Sequence, residues 1–220
     1  MRALVTGGSR GIGRATAKIF RDNGYEVITP TRNELDLSSK SSIEAYISAH
    51  KDEPLDTLVN NAGINDLAFI EDANDAVIER MFEVDLMGPI RLLRGFIPSL
   101  RKSDIGRIVN IGSIWAAVSK PGRGLYSAAK RGLHGITNAL ACEVAEDGVL
   151  VNTICPGFTA TELTIQNNTP AEIKELERLI PLGRMADPEE IAKAVYYFGS
   201  KENTYITGQK ILVDGGYTIK

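Results

Sequence analysis

The sequence predicts an α/β fold, a doubly wound parallel sheet with helices on both faces. Short apolar runs alternate along the chain with longer segments of helical spacing, the pattern of strands joined by helical connections. The first run leads directly into a glycine-rich turn and a helix. Later runs end near Asn61 and at Ser113, and in such sheets the carboxyl ends of the strands form the edge where ligands bind. These observations predict a binding site at that edge.

Length and composition restrict the class of protein. A chain of 220 residues can bury the core of a single domain, here residues 1–220, and 43% hydrophobic with 24% charged residues is ordinary for a soluble protein. A net charge of −3 recommends neither a nucleic-acid nor a membrane partner. Two cysteines form no disulfide framework, and two histidines argue against a metal site. With no long apolar run and no room for a signal peptide before the first strand, we expect a cytoplasmic protein.

The first strand covers residues 3–6, and the helix that follows covers residues 14–23. Between them lie Gly7, Gly11 and Gly13, with Ser9 and Ile12 in the same loop. Glycines let a backbone approach a pyrophosphate at a helix N-terminus, so the loop predicts dinucleotide binding. The alternative is a turn that needs glycine only for positive φ.

The second strand covers residues 26–29, and its end predicts which cofactor is bound. In a dinucleotide fold an acidic residue there selects NAD through the ribose 2′-hydroxyl. The next residues are instead Thr31 and Arg32, and Arg10 lies in the glycine loop. Arginine suits a 2′-phosphate, so NADP is preferred and NAD is the second choice. The alternative is that both arginines point into water.

The remaining elements follow from the same patterns. A helix is expected over residues 41–50, capped at Ser38 or Ser39, and a short third strand near Leu35. Further strands are expected at residues 55–59, 107–111, 150–154 and 210–213. A helical region covers residues 73–103 and is interrupted at Asp85, Gly88 and Pro89. The remaining helices are expected after Tyr126, at residues 171–180 and at residues 188–198.

The long polar stretch 158–185 between a strand and a helix predicts a substrate lid. Phe158, Leu163 and Ile165 would give the lid an apolar wall, and Asn167 and Asn168 could contact a polar ligand.

Tyr126 and Lys130 stand four residues apart at the start of a predicted helix, so they share one face. A nearby ammonium lowers a tyrosine pKa from about 10 and suits the phenol to proton transfer. The alternative is a surface tyrosine beside a solvated lysine.

Along its whole length the chain resembles the short-chain dehydrogenases/reductases. The motifs that carry the resemblance stand in family order: Thr6 to Gly13, Asn60-Asn61-Ala62-Gly63, Ser113, Tyr126-x-x-x-Lys130, and Pro156-Gly157 with Thr161. The ending Ile206 to Gln209, then Val213 to Gly216, is similar to the 3-oxoacyl-carrier-protein reductase branch. The resemblance implies a Rossmann fold with a seven-stranded parallel sheet, and a homodimer or homotetramer.

The resemblance also implies roles for these positions. Tyr126 would protonate a carbonyl oxygen, Ser113 would hydrogen-bond it, and Lys130 would tune Tyr126 and bind the nicotinamide ribose. The other cofactor-binding positions would be Gly7, Ser9, Arg10, Gly11, Ile12, Gly13, Arg32, Asp36, Leu37, Asn61, Ala62, Gly63, Pro156, Gly157, Thr159 and Thr161. Hydride passes directly between nicotinamide and carbonyl carbon, so no metal is needed.

Two features depart from the family pattern. Asp85 stands where the family usually has an asparagine of the proton relay, and the region of the third strand is short. If Asp85 lies near Lys130, its charge keeps the pKa of Tyr126 higher than asparagine would; otherwise it points into solvent.

The leading hypothesis is an NADP-dependent oxidoreductase of a small carbonyl or alcohol substrate, such as a 3-oxoacyl thioester or a related ketone. One alternative is a cofactor-binding sensor or scaffold with little turnover. Another is a sugar-nucleotide-modifying enzyme of the same fold.

Overall fold

Six parallel strands form one sheet in the part of the chain that the computed structural model describes, residues 1–166 and 168–220. Asn167, expected to face the ligand, lies outside these residues, and so does the side chain of Leu163. The strands are β1 (Arg2–Val5), β2 (Glu26–Ile28), β3 (Thr57–Asn60), β4 (Arg107–Ile111), β5 (Leu150–Pro156) and β6 (Lys210–Val213). The predicted parallel α/β sheet is confirmed, with six strands where the family resemblance implied seven.

The predicted third strand near Leu35 does not form, because the described residues after β2 make turns instead. The amide of Leu35 donates to the carbonyl of Thr31 at 2.9 Å, and the amide of Asp36 donates to Ser42 Oγ at 3.0 Å. Neither amide is therefore available to a strand ladder. A parallel neighbour of β2 also needs a crossover of about a dozen residues, and the chain has only a short turn before Leu35.

Eight α-helices connect the strands within the described residues. They are α1 (Gly11–Asp22), α2 (Lys40–His50), α3 (Asp75–Phe82), α4 (Gly88–Leu100), α5 (Gly124–Glu143), α6 (Glu162–Gln166), α7 (Pro170–Arg178) and α8 (Pro188–Gly199). Ser39 caps α2, because its side chain accepts from the amide of Ser42. Of the two predicted capping residues, Ser38 and Ser39, the second is therefore confirmed. A π-helical turn, Glu83–Met87, separates α3 from α4 and accounts for the predicted interruption at Asp85.

Alternating side chains of the strands build one core on each face of the sheet. Leu4 packs on one face with residues of α2, α4 and α5, whereas Ala3 and Val5 pack on the other with α1 and α8. Phe20 of α1 is fully buried there, and burial of such a side chain stabilises the fold by about 1.5–3 kcal/mol. Both faces are covered, which confirms the doubly wound arrangement.

The strand order is β2-β1-β3-β4-β5-β6, so the chain reverses direction across the sheet after β2. Ala3 of β1 pairs with Val27 on one side and with Thr57 on the other. A reversal of this kind opens a crevice between the loops that follow β1 and β3, at the carboxyl ends of the strands.

The predicted lid segment, residues 158–185, leaves and rejoins the sheet edge at nearly the same place. Thr159 and Ala186 form an isolated parallel bridge, and the amide of Ala160 donates to the carbonyl of Ala186 at 2.8 Å. None of the helices in the described ranges combines the length and apolar character that crossing a bilayer requires.

Candidate active site

The loop between β1 and α1 passes so close to the loop after β3 that only glycine fits at two positions. A Cβ on Gly13 would lie 2.2 Å from the carbonyl oxygen of Gly7, and a Cβ on Gly7 would lie 2.9 Å from Ala62 Cα. Gly7 also has φ +66. Arg10, the N-cap of α1, makes no side-chain cap, so the first amides of the helix remain available to an anion. The loop therefore has the shape and polarity that a pyrophosphate needs.

A cleft runs from this loop along the ends of β1, β2 and β3. Seven of the predicted cofactor-binding residues line it. The lining consists of Thr6, Gly7, Ser9, Pro30, Thr31, Arg32, Leu35, Asp36, Leu37, Ala62, Gly63, Ile64, Arg80 and Val84.

Several predicted cofactor-binding residues support the cleft without lining it. Asn61 donates from Nδ2 to the carbonyls of Thr6 (2.8 Å) and Gly7 (3.2 Å), which holds the glycine loop against β3. Ile12 packs into the core beneath α1. The Arg10 side chain forms no ion pair or hydrogen bond with another described residue, so its charge is available at the loop.

One carboxylate, that of Glu34, lies at the end of β2, where the sequence did not lead us to expect an acid. Glu34 Oε2 accepts from the amide of Thr31 at 2.7 Å and from Thr31 Oγ1 at 2.8 Å. Arg32 Nε lies 3.2 Å from Asp36 Oδ2, in an exposed pair. The expectation of no acid at this strand end is therefore wrong, because a turn brings Glu34 back to it. The spacing Thr-x-x-Glu, typical of a capping interaction, is the signal that could have revealed it.

The segment after β5 brings the remaining predicted residues to the same edge. A Cβ on Gly11 would lie 3.2 Å from Thr161 Cγ2, so Thr161 lies beside the glycine loop. Gly157 instead packs its backbone on Asp214, and Thr159 is buried with Oγ1 donating to the carbonyl of Gly157 at 3.2 Å. Pro156, at the end of β5, is buried too.

Ser113, Tyr126 and Lys130 converge at the carboxyl end of β4. The N-terminal turns of α5 carry Tyr126 and Lys130, and Lys130 Nζ lies 5.5 Å from the centre of the Tyr126 ring, which confirms the predicted shared face. Ser113 directly precedes a 3₁₀ turn, and its hydroxyl accepts from the amide of Trp115 at 3.2 Å. Lys130 is buried and donates to the carbonyl of Ile111 at 3.0 Å, so it is not a solvated surface lysine.

Asp85 lies in the π-helical turn, fully buried, and forms an ion pair with Lys130. Its Oδ1 is 3.0 Å from Lys130 Nζ, and its Oδ2 accepts from the amide of Ile64 at 3.1 Å. A Cβ on Gly63 would lie 2.5 Å from Asp85 Oδ1, so the glycine leaves room for the pair. The alternative that Asp85 points into solvent is therefore wrong.

These charges act on the phenol in opposite directions. Burial raises the pKa of Tyr126 above its usual value, Lys130 lowers it, and the carboxylate of Asp85 raises it again. The net direction is upward, so the expected net decrease of the tyrosine pKa is wrong, although Lys130 acts with the expected sign. Burial lowers the pKa of Lys130, but Asp85 and then Tyr126 oppose burial and leave that pKa raised. A protonated phenol beside an ammonium can deliver a proton to an oxygen that gains negative charge.

Two further side chains at this site were not identified from the sequence. Trp115 is buried next to Ser113, and Arg123 precedes α5 with its guanidinium carbon 5.7 Å from the centre of the Trp115 ring. The position of Arg123 one helical turn before Tyr126 is the only sequence signal for it.

Known proteins resemble this chain over nearly its full length. A family model described as enoyl-(acyl carrier protein) reductase matches residues 29–218. The 3-oxoacyl-(acyl-carrier-protein) reductase FabG of Vibrio cholerae is 37% identical, and the alignment covers 97% of this chain and 96% of that protein.

Two solved structures, each 30% identical, cover all of this chain. One is described as a short chain dehydrogenase/reductase family protein, with a TM-score of 0.90 and 98% of that chain covered. The other is the aldohexose dehydrogenase of Thermoplasma acidophilum in ligand-free form, with a TM-score of 0.93 and 94% of that chain covered.

Proposed function

Because this chain belongs to the short-chain dehydrogenase/reductase family of oxidoreductases, we propose that it uses NADPH to reduce the carbonyl group of a small molecule. The observation that carries the proposal is that Tyr126 lies within hydrogen-bond reach of Ser113 and close to Lys130, beside the cleft at the sheet edge. A protein that only binds a cofactor does not need this set.

The family uses nicotinamide cofactors, and the cleft suits one. Gly7 and Gly13 leave backbone room for a pyrophosphate at the start of α1, where the helix dipole favours negative charge. Leu37 and Asp36 line the part of the cleft where adenine would lie. Lys130 would bind the nicotinamide ribose, and Thr161 and the backbone after β5 would hold the nicotinamide ring.

We propose NADP over NAD because of Arg10 and Arg32. Arg32 lines the cleft, and Arg10 stands in the glycine loop at the N-cap of α1, so a 2′-phosphate could meet both. The pair between Arg32 and Asp36 is exposed, and such pairs contribute at most about 1 kcal/mol. A charge-assisted hydrogen bond to phosphate contributes about 1.5–3 kcal/mol, so the phosphate would win the competition for Arg32.

The chain's own residues manage the proton. Nicotinamide, when bound, supplies the hydride. Tyr126 donates its phenolic proton to the carbonyl oxygen, and its raised pKa keeps that proton in place at neutral pH. Ser113 donates a hydrogen bond to the same oxygen and stabilises its developing charge. Lys130, held by Ile111 and Asp85, stabilises the phenolate that remains.

Aromatic rings surround the position of the substrate. Trp115, Phe158 and Tyr217 pack edge to face, with ring centres 5.1–6.4 Å apart. They form an apolar cluster that joins Trp115, two residues after Ser113, to Phe158 at the start of residues 158–185. We propose that residues 158–185 act as a lid of the single domain 1–220. With a 3-oxoacyl reductase among the relatives, a 3-oxoacyl thioester is the first substrate to test.

Oxidation of NADPH in the presence of 3-oxoacyl thioesters, simple ketones and sugar nucleotides tests the function. Tyr126→Phe keeps the ring and removes the proton, so kcat should fall about 100-fold or more while the Kd for NADPH stays the same. Lys130→Met should lower kcat and also weaken NADPH binding, because Lys130 is proposed both to stabilise the phenolate of Tyr126 and to bind the nicotinamide ribose. Tyr205→Phe is the matched control, since Tyr205 is 94% exposed. Near-normal turnover of Tyr126→Phe would refute the assigned acid, and NADPH binding without any turnover would favour the sensor or scaffold.

A further inference from the structure

Two cations lie against Trp115, the residue whose amide donates to Ser113. Lys120 Nζ lies 5.5 Å from the centre of the Trp115 ring, and Arg123 Cζ lies 5.7 Å from it. In the described part of the chain neither cation has a carboxylate within ion-pair distance, unlike Lys130, which pairs with Asp85. Two positive charges without a counterion thus face the same ring.

Arg123 uses little of its hydrogen-bonding capacity. Its Nη1 donates to Asn65 Oδ1, and this is its only side-chain hydrogen bond to a described residue. Its Nε is buried and has no acceptor among those residues. A guanidinium has five N–H donors, and a buried donor left without an acceptor costs about 1–3 kcal/mol. An external acceptor that approached the Nε–Nη2 edge, with a small rotation of the side chain, would remove this cost.

The position of Arg123 connects it to the reacting group. It is the N-cap of α5, and Tyr126 lies one helical turn further on. The positive charge of Arg123 lowers the pKa of Tyr126, so its field reaches the phenol. Asn65, its partner, follows the loop after β3 that lines the cleft. Arg123 therefore lies one helical turn before the group that would donate the proton and next to a loop of the cleft.

We propose that Arg123, assisted by Lys120, binds a carboxylate of the substrate close to the carbonyl that is reduced, so that the preferred substrates are oxo acids. A carboxylate matches the planar fork of a guanidinium with two parallel hydrogen bonds. Trp115, Phe158 and Tyr217 would enclose the carbon chain between the two groups. This inference rests on the proposed function and narrows its substrate class: an uncharged ketoacyl ester or thioester would leave Arg123 unpaired.

A matched pair of substrates tests the carboxylate. Acetoacetate and ethyl acetoacetate share the reacting carbonyl and differ in charge. Wild type should reduce the acid with a kcat/KM about 10-fold or more above that of the ester. Arg123→Gln should raise KM for the acid about 10- to 100-fold, the value of a lost charge-assisted hydrogen bond, and should remove most of the preference for the acid over the ester. Arg94→Gln, on an exposed arginine of α4, should change neither.

Trp115 is the only tryptophan of the chain, so its fluorescence reports on the site without turnover. Titration of the enzyme and NADPH, which cannot react with an alcohol, with 3-hydroxybutyrate should change the emission, and ethyl 3-hydroxybutyrate should require a much higher concentration. Arg123→Gln should abolish the difference. Arg123→Lys, which keeps the charge and loses the fork, should show an intermediate Kd, and it replaces Arg123→Gln if that variant does not fold.

The outcomes separate this inference from the proposed function. If wild type reduces the ester as well as the acid, or if Arg123→Gln affects both alike, the carboxylate site is refuted and the reductase stands; Arg123 is then a structural cation stacked on Trp115. If wild type reduces no carbonyl compound at all, the reductase proposal fails. The fluorescence titration then decides by itself whether Arg123 binds carboxylates.

Discussion

The buried pair of Asp85 and Lys130 lies beside the half-buried Tyr126, and the charge of each residue affects the others. Asp85 Oδ1 and Lys130 Nζ are 3.0 Å apart, and Lys130 Nζ lies 5.5 Å from the centre of the Tyr126 ring. The carboxylate raises the pKa of both neighbours. Arg123 and Ser113 act on Tyr126 in the opposite direction. The ionisation of the proposed acid is thus set by at least four surrounding groups.

Asp85→Asn should move the alkaline limb of the reduction pH profile to lower pH. Reduction needs protonated Tyr126, and removing the carboxylate removes one cause of its raised pKa. The pKa of Tyr126, and with it the alkaline limb, should therefore shift downward. The measurement is kcat/KM against pH for wild type and variant.

Asparagine keeps an oxygen for the amide of Ile64 but leaves Lys130 without its counterion. The loss of one partner from a buried pair costs about 3–5 kcal/mol, so the melting temperature should fall as well. Superimposable pH profiles would show that the carboxylate does not act on the phenol. A wild type inactive on every carbonyl, with activity restored by Asp85→Asn, would favour the binding-protein alternative.

Glu34 and Arg32 should shift the cofactor preference in opposite directions. Glu34 accepts from both donors of Thr31, a residue that lines the cleft, so its negative charge lies next to the region where we propose that the 2′-phosphate binds. Glu34→Gln should raise the ratio of kcat/KM for NADPH over NADH about threefold to tenfold, the value of about one hydrogen bond. Arg32→Ala should lower the ratio about tenfold.

Glu44→Gln is the control for cofactor preference, because Glu44 is an exposed glutamate of α2 that does not line the cleft. Its Oε1 lies 3.8 Å from Lys40 Nζ, so the variant also removes a charge from an ion pair. Equal use of both cofactors by wild type, or an unchanged ratio in Arg32→Ala, would show that these residues do not select the 2′-phosphate.

At the scale of elements, the β1–α1 loop and the loop after β3 interlock through glycine. Gly13→Ala would place a methyl group 2.2 Å from the carbonyl oxygen of Gly7 and 2.4 Å from Asn61 Nδ2. Overpacking of this kind costs about 1–3 kcal/mol. We expect a lower melting temperature and a Kd for NADPH at least about tenfold weaker, measured by the fluorescence of bound NADPH.

Gly135→Ala is the matched control for the loop, because a Cβ at Gly135 meets no atom within 4 Å. Alanine in a helix interior is favoured over glycine by about 0.5–1 kcal/mol, so this variant should be slightly more stable with unchanged NADPH affinity. If Gly13→Ala behaves like the control, the loop is not as tightly packed as the structure indicates.

At the scale of the whole molecule, the exposed face of α5 is the proposed contact between two copies of the chain. Small residues at helical spacing form a stripe along α5, in which Ala128, Gly135 and Ala139 are exposed, whereas Gly132 packs against Leu86 of the π-helical turn. Three positions thus allow two α5 helices to approach closely about a two-fold axis.

Light scattering should give at least a homodimer at micromolar concentration. Gly135→Leu should shift the protein to monomer, because the added side chain would separate the two helices, whereas Gly135→Ala should stay associated. A monomeric wild type, or a Gly135→Leu variant that remains a dimer, would show that this face of α5 is not the interface.

Local patterns determined much of this protein from the sequence alone. The strand, glycine loop and helix of the first unit were predictable because backbone geometry sets them within a few residues. The shared face of Tyr126 and Lys130 follows from the helical repeat for the same reason. The strands at residues 107–111 and 210–213 have the predicted bounds, since each is a short segment rich in β-branched and other apolar residues that is bounded by glycine or polar residues.

Contacts between distant segments were decided only by the tertiary structure. The π-helical turn buries Asp85 against Lys130, and no spacing in the sequence brings those two residues together. Likewise, Glu34 returns to the end of β2 because the chain turns where a third strand was expected, and Arg123 meets Trp115 across a connection. The physical reason is that charge pairs and missing strands depend on which surfaces pack together and exclude water, whereas helical faces and glycine turns depend on the backbone of one segment.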